Sequence, residues 1–186
     1  MSTINPYEAP QSGLSSIAHQ QETEEQLRPL LDAFVFQNTD YYAKFYPGVL
    51  QGHKSLGFNW AAAIFPTPWL AYRRMYAWVA VYMATTAIFS VLLVLALAQL
   101  PASGTVYGSI TAAWMIGLRY AAGKLANYLY LSSALKKINK ITASQKHAED
   151  PEEMRNSIEL AGGTSGLACT LVIVFSGVVN MISSQM

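Results

Sequence analysis

Two stretches of this 186-residue chain contain no Asp, Glu, Lys or Arg: Met75 to Leu118, 44 residues, and Leu160 to Met186, 27 residues. A bilayer core about 30 Å thick is crossed by about 20 apolar helical residues, so the first stretch has room for two crossings and the second for one. Gln99 to Gly104 divides the first stretch, because Pro101 cannot continue a helical hydrogen-bond ladder. The pattern predicts spans at about 75–100, 105–124 and 163–182. The run Ala77 to Ala98 has no polar face beyond Thr85, Thr86 and Ser90. A soluble helix of that kind needs burial on every side, which a chain of this size does not provide.

Composition agrees. The chain is 52% hydrophobic and 12% charged, where soluble domains carry about a quarter charged residues. A formal charge of +1 gives no basic excess of the kind that marks a nucleic-acid binder. One cysteine, Cys169, excludes an internal disulfide framework and a multi-cysteine metal site. His19, His53 and His147 lie in three separate hydrophilic segments without ligand spacing, and no glycine-rich phosphate loop precedes a Lys-Ser or Lys-Thr pair. The expectation is therefore a protein with no catalytic residues, no bound metal and no cofactor.

Every Lys and Arg precedes the first span, sits in the inner half of the second, or lies between the second and third. The positive-inside rule then puts the N-terminus and the 125–160 loop in the cytoplasm, and the 101–104 turn and the C-terminus outside. The first 57 residues are polar, begin without a basic patch and lack an early apolar core, so they do not read as a cleavable signal. Residues 1–22 read as a disordered cytoplasmic tail, being rich in Ser, Pro, Gln and Gly. Residues 23–57 read as a cytoplasmic amphipathic helical segment, with Leu27, Leu30, Leu31, Phe34 and Val35 at helical spacing after a capped start at Thr23.

The membrane domain, 58–186, opens with FNWAAAIFPTPWLAYRRMY, Phe58 to Tyr76. Trp60 to Phe65 is too short to cross, and Pro66 and Pro68 rule out one continuous helix. The expectation is an interfacial or shallow re-entrant segment, a proline break with Thr67 as N-cap, and a helix from Pro68 running straight into the first span. Arg73 and Arg74 would lie at the phosphate level of an anionic leaflet, with Trp60, Trp69, Tyr72, Tyr76 and Trp78 as an aromatic belt. A sharper reading makes the two arginines a lipid-headgroup or small-anion site.

After the second span, Leu125, Tyr128, Leu129, Ser132, Leu135, Ile138 and Ile141 repeat at helical spacing opposite Lys136, Lys137 and Lys140, predicting a basic amphipathic helix in the interface plane. Two polar residues fall at or near the second span. Arg119 lies within reach of the cytoplasmic boundary by snorkelling, and Asn127 offers an interhelical hydrogen bond. Small residues mark close helix contacts, with Gly108, Ala113, Gly117 and Ala121 along the second span and Gly162 and Gly166 at the third. These stripes are expected to pack on each other within one chain, with homodimerisation as the rival.

Phe58-Asn-Trp-Ala-Ala and Trp69-Leu-Ala-Tyr-Arg-Arg-Met-Tyr76 resemble the central motif of a family of small bacterial inner-membrane proteins, the domain of unknown function 2628. Asn38-Thr-Asp-Tyr-Tyr42, Ala126-Asn127 with Tyr128 and Tyr130, and Gly162-Gly-Thr-Ser165 resemble further parts of it, over roughly residues 35–183. The family carries Gly-Pro where this chain has Pro66-Thr67. The resemblance implies a bacterial cytoplasmic-membrane protein of unassigned function, and it supplies no substrate.

Together these features predict an all-α membrane protein: three transmembrane helices, an N-terminal cytoplasmic amphipathic helix and a Pro-broken interfacial segment. The expected role is a non-enzymatic accessory or interaction subunit partnered by the bilayer and by another membrane protein or a second copy. The alternative is a small transporter or channel component using Arg119 and the Pro66–Pro68 break.

Overall fold

A computed structural model describes residues 11–98, 104–144 and 151–183. Those residues form nine helices and no strand: α1 (Gln11–Val35), α2 (Thr39–Ala43), α3 (Tyr46–Leu50), α4 (Trp60–Ile64), α5 (Pro66–Tyr72), α6 (Tyr76–Leu97), α7 (Gly104–Ser144), α8 (Pro151–Ala161) and α9 (Gly166–Ser183). Residues 1–10 of the expected tail, and the 101–103 part of the expected turn, lie outside the described residues. The rest of that tail is helical, because α1 begins at Gln11, twelve positions before the expected start at Thr23.

The core is built around the second half of α7. Ala126, Tyr130, Leu131, Ala134 and Ile138 are buried there against Leu31, Phe34 and Val35 of α1, Tyr46 and Val49 of α3, Ala62 of α4 and Ile158 of α8. The expected interfacial helix over 125–141 is thus a core element, and α7 runs through the expected boundary between span and loop without a break. Its buried face is also rotated from the expected one. Leu125 is exposed, while Tyr128, Leu129, Leu135 and Ile141 only flank the core. Each residue turns a helix by about 100°, so moving the stripe by one position brings small and aromatic side chains and Leu131 inward in place of Leu125, Leu129 and Leu135, with Ile138 common to both faces.

α5 joins this core to the apolar helices, packing on α4, α6 and α9. It starts at Pro66, with Phe65 rather than Thr67 as its cap residue, and Pro66 is buried. It does not continue into α6. The chain breaks at Arg74, whose φ of 55° is left-handed, and restarts at Tyr76. α9 starts from Ser165, whose hydroxyl accepts from the Ala168 amide at 3.2 Å while its own amide donates to the Tyr72 carbonyl at 2.8 Å.

Two described helical stretches are long and apolar enough to cross a membrane, not the expected three. One is α6, whose 22 residues span about 33 Å. The other lies within Glu152–Gly177, where α9 supplies the uncharged part. Residues 105–124 are instead the first half of α7, where Arg119, Lys124 and several Gly, Ser, Thr and Tyr residues dilute the apolar content. All three rods leave most of their apolar side chains bare, among them Val81, Ile88 and Leu95 on α6, Val106, Ile110 and Ile116 on α7, and Leu171, Val174 and Phe175 on α9. α6 and α7 touch through Phe89 and Trp114, whose rings stack at 4.0 Å and 11°.

Candidate functional site

The C-terminus of α1 meets α2, α5 and α7 around one arginine. α1 ends at Val35, and Phe36 and Asn38 then take left-handed backbone, φ 59° and 61°, turning the chain into α2. That turn leaves the Val35 and Gln37 carbonyls pointing at Arg73, whose guanidinium donates to both at 3.3 Å. Terminal carbonyls of a helix lack intrahelical partners and carry partial negative charge, so a cation suits this position. Arg73 is 5% exposed. It is therefore not the free surface anchor expected, because the break at Arg74 turns it back into the core.

Three tyrosines enclose the guanidinium. Its central carbon lies 4.9 Å from the ring centroids of Tyr42 and Tyr130 and 5.6 Å from that of Tyr72. The faces of these rings are electron-rich and attract a desolvated cation. Arg73 also donates to the Tyr130 hydroxyl at 3.4 Å, while Tyr72 donates to Gln37 Oε1. Among the described residues no carboxylate lies within ion-pair distance of Arg73, and its Nε has no hydrogen-bond partner. Burial pushes the Tyr42 and Tyr130 phenols above their ordinary range, and the neighbouring guanidinium opposes that rise at both.

A second polar cluster stands beside the first. Asn127, 0% exposed, accepts from Asn59 Nδ2 at 2.9 Å and donates to the Leu56 carbonyl at 3.0 Å and the Tyr41 hydroxyl at 3.1 Å. Asn59 in turn caps α4, its Oδ1 accepting from the Ala62 amide at 3.0 Å, and its own amide donates to the Gly123 carbonyl at 2.8 Å. Asn127 is thus a satisfied hub of the core, and the expected interhelical hydrogen bond is the one it makes with Asn59 at the start of α4. Gly123 permits the approach, since a Cβ there would stand 2.5 Å from the Phe58 ring.

Between the two clusters opens a cleft of about 500 Å³, lined among others by Asn38, Tyr41, Asn59, Trp60 and Arg73. Ala61, Trp69 and Tyr72 belong both to this cleft and to a neighbouring groove of about 280 Å³, which Phe65, Pro68, Cys169 and Ile173 complete.

The remaining residues singled out from sequence are dispersed. Trp60, Tyr76 and Trp78 are exposed as anchors require, but Trp69 is buried edge-on to Tyr130 and leaves the belt. Arg74 ties α5 to the start of α9, donating to the Leu160 carbonyl at 2.9 Å and the Thr164 carbonyl at 3.5 Å. Arg119 is exposed on α7, within electrostatic reach of Tyr82 on α6 and apart from Pro66 in the core. The small-residue stripes do not meet. A Cβ at Gly108, Gly117 or Gly166 would touch nothing within 4 Å, and Ala113 and Ala121 are exposed. Gly162 is the exception, packed so tightly on the end of α1 that a Cβ would stand 2.1 Å from the Phe34 carbonyl oxygen.

Hydropathy does not distinguish Tyr42, Tyr130, Asn59 or Gly123 as site residues. The signal that marks this region is the stripe Gly123, Ala126, Asn127, Tyr130, Ala134, Ile138, in which small and polar side chains recur at helical spacing.

Residues 20–135 match the family model described as "Protein of unknown function (DUF2628)". The match takes in both polar clusters and ends before α8 and α9. No curated protein and no solved structure matches the chain.

Proposed function

The chain belongs to the DUF2628 family of proteins of unknown function, and from that premise we propose that it is a non-enzymatic protein of the bacterial cytoplasmic membrane. In this reading a packed helical domain on the cytoplasmic side is carried by membrane helices and acts as an accessory subunit. One observation carries the reading: only 6% of the apolar window of α6 is buried. A contiguous apolar surface of this size on a soluble monomer is rare, and a core helix of a soluble protein would be covered.

Connectivity supports three crossings although α7 is less apolar than the other two rods. α6 leaves the core at Met75, and α7 re-enters it at Gly123. If α6 crosses the bilayer, the first half of α7 has to cross back. The stacking of Phe89 on Trp114 pairs the two helices part-way along. Arg119 then lies four residues, about 6 Å, from Gly123 on the cytoplasmic side, where a long side chain reaches the headgroups. Trp60, Ile64 and Phe65 stand exposed on and beside α4, in keeping with an interfacial segment. The transporter alternative has less support, because Pro66 is buried in the core while Arg119 faces outward on another helix.

The test is fractionation followed by labelling. The full chain should stay in the membrane pellet after alkaline carbonate. In a Cys169→Ser background, a cysteine at Ser2 should react only in inverted vesicles and one at Ser184 only in intact spheroplasts. Recovery as a compact monomer in the aqueous fraction without detergent would overturn the reading.

A further inference from the structure

The Arg73 nest explains only part of what surrounds it. Capping the end of α1 accounts for the two terminal nitrogens of the guanidinium. It leaves a buried positive charge with no anionic partner among the described residues. Taking an ion out of water is costly, and neutral carbonyls at 3.3 Å with tyrosine faces return only part of that. Capping also does not explain the cleft beside it. At the cleft wall Tyr41 carries a second cation, Lys44 Nζ, 4.4 Å from its ring centroid. Asn59, 5% exposed, adds an amide to the lining.

The adjoining groove has the opposite chemistry. Phe65, Pro68, Cys169 and Ile173 present almost no polar surface. Ile173 is seven residues into α9, about 10 Å along its axis. The two cavities share Ala61, Trp69 and Tyr72, so a cationic, hydrogen-bonding compartment adjoins an apolar one that follows a membrane helix. A ligand with one anionic end and one hydrocarbon end matches both.

We propose that the paired cavities hold one anionic phospholipid, its phosphate in the cleft at Arg73 and Asn59 and one acyl chain in the groove along α9. The phosphate accepts from Asn59 and neutralises the guanidinium. The acyl chain covers Trp69 and Ile173. The site deepens the reading of the protein as membrane-embedded and rests on it.

Trp69, on the shared wall, is the reporter. The full chain carrying Trp60→Phe, Trp78→Phe and Trp114→Phe is reconstituted in nanodiscs of phosphatidylcholine. Phosphatidylglycerol brominated on its acyl chains is then compared with equally brominated phosphatidylcholine. We expect Trp69 to be quenched at a mole fraction about tenfold lower for the anionic lipid, the preference of one charge-assisted hydrogen-bonded site. Arg73→Lys removes the planar fork and should abolish the preference. Cys169→Phe fills the groove and leaves the nest intact. It should abolish quenching by either lipid, which keeps the test decisive even if Arg73→Lys fails to fold. Equal quenching by both lipids, or preference retained in Cys169→Phe, overturns the proposal. Loss of the preference on adding inorganic phosphate, with quenching by the two lipids then equal and unchanged by Cys169→Phe, assigns the cleft to free phosphate and also overturns it. Failure of the chain to remain in membranes after carbonate is a separate result and refutes the membrane reading itself.

Discussion

At the residue scale, the arrangement around Asn127 shows how a single amide organises three segments distant in sequence. Its carboxamide holds Leu56, Asn59 and Tyr41 together, and all its partners are drawn from the protein. Asn127→Leu keeps the branched shape but strands the Asn59 amide and the Leu56 carbonyl in the core. Each stranded group costs about 1–3 kcal/mol, so the variant should lose about 3 kcal/mol of stability, read as a lowered midpoint of thermal unfolding by near-UV circular dichroism in detergent. The buried phenols give a pH signature. Burial raises the Tyr42, Tyr46 and Tyr130 phenols in the folded state, and for Tyr46 the hydrogen bond to Asp32 adds to it. Above about pH 10 the unfolded chain therefore releases protons that the folded chain keeps, and stability falls as pH rises. The melting midpoint should drop between about pH 10 and 11.5, with the share of tyrosinate absorbance that belongs to these three phenols appearing only as the chain unfolds.

At the scale of helices, the joints are set by a few backbone positions. Gly162 abuts the Phe34 carbonyl, and no side chain fits there. Gly162→Ala should cost about 1–3 kcal/mol or more by overpacking, while Gly117→Ala, which meets nothing, should lie within about 0.5 kcal/mol of the parent in the same melt. The break between α5 and α6 depends on Arg74 in left-handed backbone. Much of this level was legible in the sequence. The charge-free run gave α6, Pro66 and Pro68 gave the interruption after α4, and Leu31, Phe34 and Val35 gave the inner face of α1. The turned face of α7 was not legible, because apolar residues surround most of that helix and hydropathy alone does not choose among them. The destination of Arg73 was not legible either. An arginine beside aromatics reads equally as an anchor or a cap, and only the left-handed residue after it decides which way it points.

At the scale of the whole molecule, the division is between a packed core and three uncovered rods. Soluble-domain logic explains the core, where polar groups such as Asn59 and Asn127 find partners. It does not explain α6 or α9, most of whose apolar side chains stand clear of their own chain. A truncated chain ending at Ala161 lacks α9 and should lose the preferential quenching of Trp69 by brominated anionic lipid, while α6 keeps it in the carbonate pellet. The small-residue stripes read in the sequence as internal packing seams. In the folded chain those seams, Gly162 apart, face outward, so the residue types were recognisable but their partners were not.

α7 contains no proline and runs for 41 residues, about 61 Å, with Trp114 in its outer half and Ile138 in the core near its far end. A shaft of that kind has no pivot between its halves. On the proposed reading that the outer half crosses the bilayer, thinning that leans it would swing the inner half with it, and the amide hub and tyrosine nest, both bolted to that half, would register the thickness of the surrounding lipid.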